Sequence, residues 1–258
     1  RRVLFRSFNI PNVAAYGRSI YEIKDQWKFN IDFKHEFFKD AETRISLFGE
    51  YRTGRPYSIT MVDTTGTSSS ARGNVFGTVG TGGRHLLYVP TVGDTKVSFD
   101  TAANEALFNT LIKDLGLEGY RGKILDKNTN NSPDFFKVDL HVSQEVPLPV
   151  FDGLKLELFG DIENVLNLID SDWGALRQVA FPYTASLVTV TCIGTGTPPP
   201  TGTAPGAAIT GGGNYASAVT SNTQTCAHYR YGGVAAPNID RVSRQSLYGI
   251  RVGARVKF

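Results

Sequence analysis

Leu247-Tyr248-Gly249-Ile250-Arg251-Val252-Gly253-Ala254-Arg255-Val256-Lys257-Phe258 closes the chain with a strict period of two. Tyr248, Ile250, Val252, Ala254, Val256 and Phe258 alternate with Gly249, Arg251, Gly253, Arg255 and Lys257. A strand sends successive side chains to opposite faces, so one face of this segment is apolar and the other cationic or bare. The segment runs out on an aromatic residue in mid-pattern. The closing strand of an outer-membrane barrel ends this way, with its ring in the interfacial girdle.

Length and charge narrow the alternatives. The 258 residues are 41% apolar, enough for a core or for a membrane face. With 27 basic against 24 acidic residues, the balance points away from nucleic acid. No stretch approaches the ~20 consecutive apolar residues of a transmembrane helix, so a chain that crosses a bilayer crosses it as a barrel. Cys192 and Cys226 share one polar segment rich in Gly, Thr and Ser, and we read them as a disulfide in an oxidising compartment. Closing that loop of ~35 residues stabilises by roughly 3 to 4 kcal/mol. The front of the chain, Arg1 to Phe8, lacks the apolar core of a signal peptide and reads as a strand entered part-way.

The same period of two recurs. Between Lys24 and Phe38, Trp27, Phe29, Ile31, Phe33 and Phe37 alternate with Lys28, Asn30, Asp32, Lys34 and Glu36. His35 falls on the apolar face near its end. A turn at Lys39-Asp40-Ala41-Glu42 leads to a strand over Arg44–Ser58, so the two form a hairpin. Phe135–Val146 and Leu154–Leu166 alternate likewise around a short connection, Pro147 to Gly153. Arg2–Phe8 is a weaker strand candidate. Thr101–Leu115 has helical spacing with Gly116 as its stop, and reads as a helix decorating a loop.

Connections therefore alternate: short turn, long segment (about 59–133), short turn, long segment (about 167–245). In an outer-membrane barrel short turns are periplasmic and long loops extracellular, which puts the C-terminus on the periplasmic side. The strands run to about 12 to 15 residues, against ~5 or 6 in globular proteins and ~9 to 11 needed to cross a bilayer. If the closing strand pairs with Leu154–Leu166, then Glu157, Asp161 and Glu163 face Arg251 and Arg255 in a lumenal charge ladder. Six strands fall short of the ~8 needed for closure. The rest is expected from a longer protein or from another chain. The fold class is thus an all-β, antiparallel transmembrane β-barrel, of which residues 1–258 form the C-terminal part, with long extracellular loops.

Several motifs, in order, resemble one family. Trp27-Lys28-Phe29-Asn30 through Phe37-Phe38-Lys39-Asp40, Leu47-Phe48-Gly49-Glu50 and Thr53-Gly54-Arg55-Pro56-Tyr57-Ser58 are similar to the late barrel of TonB-dependent outer-membrane receptors of the Oar-like type. So are Leu86-Leu87-Tyr88-Val89-Pro90, Gly119-Tyr120-Arg121-Gly122, Val138-Asp139-Leu140, Gln144-Glu145-Val146-Pro147 and Asp161-Ile162-Glu163-Asn164-Val165-Leu166-Asn167. The resemblance implies a barrel of about 22 strands, filled by a plug and energised through TonB. It also implies that the row Tyr248, Ile250, Val252, Ala254, Val256 and Phe258 is the signal read by the barrel-assembly machinery. The implied partners are outer-membrane lipid, the remaining strands and plug, TonB and that machinery, in a Gram-negative outer membrane.

Other chemistry finds little support. His35, His85, His141 and His228 lack metal-ligand spacing. No nucleophile elbow accompanies Ser, His and Asp, so no catalytic residue, metal or cofactor is assigned. Gly80, Gly82 and Gly83 precede no helix that could cradle phosphate. Asp94, Asp100, Asn104 and Glu105 suit calcium and solvent alike. Trp27, Phe37, Tyr51, Tyr57, Trp173 and Tyr248 are girdle candidates. The expected function is uptake of an unidentified ligand by a receptor. The alternatives are a barrel that anchors loops contacting a partner, and a soluble secreted sandwich. Deleting Phe258 is expected to lower the yield of assembled protein in the outer membrane, and full assembly without it would refute the signal role.

Overall fold

The computed structural model describes residues 5–6, 14–63, 75, 85–148, 153–221 and 226–258. In chain order its main elements begin with β1 (Gln26–Phe38), β2 (Ala41–Arg52), β3 (Pro56–Asp63), β4 (Val97–Phe99), α1 (Ala102–Asp114), β5 (Phe135–Pro147) and β6 (Lys155–Glu163). There follow α2 (Val165–Ile169), β7 (Arg177–Gln178), β8 (Thr184–Ile193), β9 (His228–Gly232), β10 (Asp240–Arg241), α3 (Ser243–Ser246) and β11 (Gly249–Lys257). Strand exceeds helix, 46% to 12%, so the chain is mostly β. It divides into two compact units. A strand unit holds Tyr21–Arg55, Asn131–Gln178 and Ile239–Phe258, and a loop unit holds Arg1–Ile20, Pro56–Asn130 and Val179–Asn238.

The strand unit is a five-stranded antiparallel sheet in the order β1-β2-β5-β6-β11. Each long strand pairs with its neighbour in sequence among the long strands. Asp40, at φ 57°, makes the tight turn between β1 and β2, a left-handed conformation that Asp tolerates. Lys155 stands opposite Lys257, so the chain ends beside the short β5–β6 connection. At the other end Arg52 stands opposite Phe135, and Glu163 opposite Gly249. The long excursions leave from that end.

Two strands stop earlier than their alternation predicts. The strand expected over Arg44–Ser58 breaks after Arg52. Gly54 packs against the Ser132 carbonyl, where any Cβ would collide, and its N–H donates to Asp134 Oδ1 at 3.0 Å. Pro56 then opens β3, in the other unit. Tyr57 accordingly lies in a core at 2% exposure and belongs to no girdle. The strand over Leu154–Leu166 ends at Glu163, because Asn164 turns to φ 54° and starts α2.

The long segments are not open loops. Together they build a mixed sheet, with β3 parallel to β8, β8 antiparallel to β9, and β9 parallel to β4. Helix α1 begins where Thr101 Oγ1 accepts the Asn104 N–H at 3.1 Å, and it is followed by Gly116 at φ 68°. It buries Phe108, Leu111 and Ile112. Phe99, Phe108 and Tyr231 meet with ring centroids 5.3 to 5.9 Å apart. Burial raises the Tyr231 pKa, which keeps the phenol protonated as donor to the Tyr88 carbonyl at 3.0 Å. Cys192 and Cys226 form a disulfide across a separation of 34 residues, where Cys192 lies opposite Tyr229 on the β8–β9 ladder. Of the Arg2–Phe8 candidate, Phe5–Arg6 are described, paired with Ala14–Ala15. Gly80, Gly82 and Gly83 lie outside the described residues.

Phe108→Ala is expected to destabilise the loop unit by about 3 to 5 kcal/mol. Limited proteolysis across a urea series should show earlier cleavage within residues 85–130, and an unchanged cleavage midpoint would refute the core assignment.

Candidate functional site

Residues directly opposite one another on paired strands share a face, so the register sorts the strand unit into two. One rung reads Trp27, Tyr51 and Phe136; another reads Ile31, Leu47, Leu140, Ile162 and Ile250. Between them lies Phe29, Gly49 and Val138. Beyond lies Phe33, Ile45, Val142, Gly160 and Val252. Five strands thus carry one continuous apolar face. It is uncovered: Trp27 is 71%, Ile250 60% and Val252 79% exposed. His35 closes the face toward the short-turn end, where its ring meets Phe37 edge-on at 4.5 Å.

The opposite face carries the charges. Asp32, Ser46, His141, Asp161 and Arg251 form one rung across all five strands. Arg251 Nε reaches Asp161 Oδ2 at 3.0 Å, and His141 Nδ1 holds the other Asp161 oxygen. Arg44 pairs with Asp32 at 2.9 Å. Nearer the short turns, Arg255 lies 3.4 Å from Glu157, and Lys257 bridges Glu145 at 2.8 Å and Glu157 at 3.3 Å. Lys155 adds a contact to Glu145 at 3.0 Å. Glu163 stands opposite Gly249 and joins no ion pair among the described residues. Of the five residues expected in the ladder, four pair as proposed. His141, Glu145, Lys155, Lys257, Asp32 and Arg44 extend it. Their alternation is visible in the sequence, but Glu145 and Lys257 are brought together only by the register of three strands.

On the three inner strands of the sheet, burial runs against polarity. Glu157 is 8% exposed and Ser143 is buried, whereas the aliphatic and aromatic row opposite lies open. Glycines fit the rings of both faces. Phe29 covers Gly49 on the apolar side, and Phe159 covers Gly253 on the charged side, where Arg255 lies 5.7 Å from its centroid. A Cβ at either glycine would strike the ring. Tyr248, Ile250, Val252, Ala254 and Val256 continue the apolar row, and Phe258 is fully exposed at its end.

The loop unit holds a cleft of about 360 Å³ walled by Pro198, Pro199 and Pro200 and by the Pro90–Phe99 stretch. Asp94, Lys96, Glu105, Asn109, Arg121 and His228 line it. Arg121 donates to the Pro90 carbonyl at 3.0 Å and to Asn109 Oδ1 at 2.7 Å. Asp94 accepts the Tyr88 hydroxyl at 2.8 Å and the Lys96 N–H at 2.9 Å, which raises the Tyr88 pKa. Asp100 accepts from the Thr101 N–H and the Asn104 side-chain amide. These carboxylates thus tie down the turn and the helix start, and among the described residues no group of three or more His, Cys, Asp and Glu could hold a metal ion. The cleft offers mixed hydrogen-bonding groups between rigid proline walls.

No protein-family model matches the chain, and neither a curated protein nor a solved structure does. Gly253→Val is expected to destabilise the sheet by about 1 to 3 kcal/mol through its clash with Phe159, with Phe159→Ala restoring part of the loss. Chemical-denaturation midpoints of the two variants and their combination check this; a neutral Gly253→Val would refute the close packing.

Proposed function

We propose that this chain is part of a transmembrane β-barrel in the outer membrane of a Gram-negative bacterium, belonging to a TonB-dependent receptor that takes up a ligand. The observation that carries the membrane reading is the inverted burial of the three inner strands, whose apolar face is left open while their charged face is the more shielded one. In water such a sheet would expose its greasy side at a loss of ~25 cal/mol per Å² of apolar surface. In lipid the same face is the solvated one, and the charged face lines a wet lumen.

Dimensions agree. Roughly ten residues separate Trp27 from Phe37, and at ~3.3 Å per residue with a ~40° tilt they rise about 25 Å, the height of a barrel's apolar band. Trp27, Tyr51 and Phe136 sit in one rung at one end of the face, and Phe37 and Phe38 lie toward the other, as interfacial aromatics do. Among the described residues β1 and β11 each pair on one side only. Unpaired backbone in lipid costs several kcal/mol per group, so further strands must cover both edges. The order of sequence motifs supports the TonB-dependent assignment, and the cleft of the loop unit supports ligand capture outside the cell. A second reading, a barrel that presents a folded platform to a partner, draws on the loop unit having its own core.

The test is the behaviour of the full-length protein in cell envelopes. Outer-membrane fractionation should recover it there, and unheated samples should migrate faster on a denaturing gel than boiled ones. Recovery in the soluble fraction with no heat-modifiable form would overturn the membrane reading.

A further inference from the structure

Strands β7 and β10 pair so that Arg177 lies directly opposite Arg241, and Gln178 opposite Asp240. Opposed residues share a face, and like charges set opposite one another are destabilising. Among the described residues one carboxylate pairs with these arginines: Asp172 meets Arg177 at 2.6 Å. Arg241 donates to the Ser246 carbonyl at 3.1 Å, which leaves its charge unbalanced. Arg244 is exposed on α3 with no carboxylate partner among the described residues. Strand alternation turns Asp240 to the other side, and Asp170 accepts the Asp172 N–H at 2.9 Å.

This cationic group is held firmly. The Val242 N–H donates to the Leu176 carbonyl at 2.9 Å, and the Leu176 N–H donates to the buried Ser246 hydroxyl at 2.9 Å. Exposed apolar side chains lie beside it in the chain: Ile169, Trp173, Leu247 and Tyr248. Tyr248 continues the apolar row of β11 at the strand end remote from Phe258. Apolar side chains flanked by arginines, at the margin of a lipid-facing sheet, match a lipid molecule with acyl chains below and phosphate above.

We propose that Arg177, Arg241 and Arg244 form a docking surface for the phosphate of a lipid headgroup at the outer margin of the sheet. The inference rests on the membrane reading above, and the experiment separates the two. The full-length protein is reconstituted in vesicles of phosphatidylcholine and phosphatidylglycerol, with acyl-chain bromine as quencher on one lipid or the other. In a background where every tryptophan outside these 258 residues is replaced by phenylalanine, Trp27→Phe leaves Trp173 to report on this surface, and Trp173→Phe leaves Trp27 to report on the sheet.

Both tryptophans should be quenched, and Trp173 should favour the anionic lipid by about tenfold over phosphatidylcholine. A combined Arg177→Gln, Arg241→Gln, Arg244→Gln variant should lose that preference while Trp27 quenching persists, which shows that the variant still inserts. Equal quenching of Trp173 by the two lipids, with Trp27 quenched, overturns the docking surface and leaves the membrane reading standing. Absence of quenching at both tryptophans overturns the membrane reading as well.

Discussion

Strand register governs how the five-stranded sheet is assembled. Because side chains alternate, a slip of one residue anywhere in β1-β2-β5-β6-β11 would drive charges into the apolar face and aliphatic groups among the charges. The ion pairs serve this specification more than raw stability. An exposed pair contributes only ~0 to 1 kcal/mol, yet Arg251 finds Asp161 only when two strands are in step, and Lys257 finds Glu145 only when three are. The ring-over-glycine contacts, Phe29 on Gly49 and Phe159 on Gly253, add a steric check on the same alignment.

Register also separates the ends of the sheet. The tight turn at Asp40, the short β5–β6 connection and the chain end at Phe258 gather on one side, and both excursions depart from the other. Those excursions close on themselves. Phe99 and Phe108 from the first excursion meet Tyr231 from the second, and their meeting gives the loop unit a core of its own. A unit with a core, a disulfide and a proline-walled cleft can hold binding groups in fixed positions, which an open loop cannot.

Legibility tracked the range of the interactions. Alternation made the long strands readable, and the helical spacing from Ala102 to Asp114, capped by Thr101 and stopped at Gly116, is equally local. Strand ends were less readable. The break after Arg52 arises because Gly54 meets a carbonyl from Ser132, a contact between residues distant in sequence. Strand β8 shows the same limit. Its Thr184–Ile193 run is rich in β-branched residues, but its parallel partner β3 lies more than a hundred residues earlier, so nothing local announces the sheet. By residue type alone Tyr57 reads as an interfacial aromatic, but the fold buries it.

By itself the sequence determined the two-residue alternation, hence which side chains share a face of each long strand, the mostly β architecture and the pairing of two cysteines within one segment. These follow from backbone geometry acting over a few residues. Tertiary structure decided which strands adjoin, which acid meets which base, and that the long segments fold together around a core. It also decided that the apolar face of the sheet stays uncovered. Those outcomes depend on contacts across scores of residues, where chain connectivity leaves many pairings open and only packing and charge matching select among them.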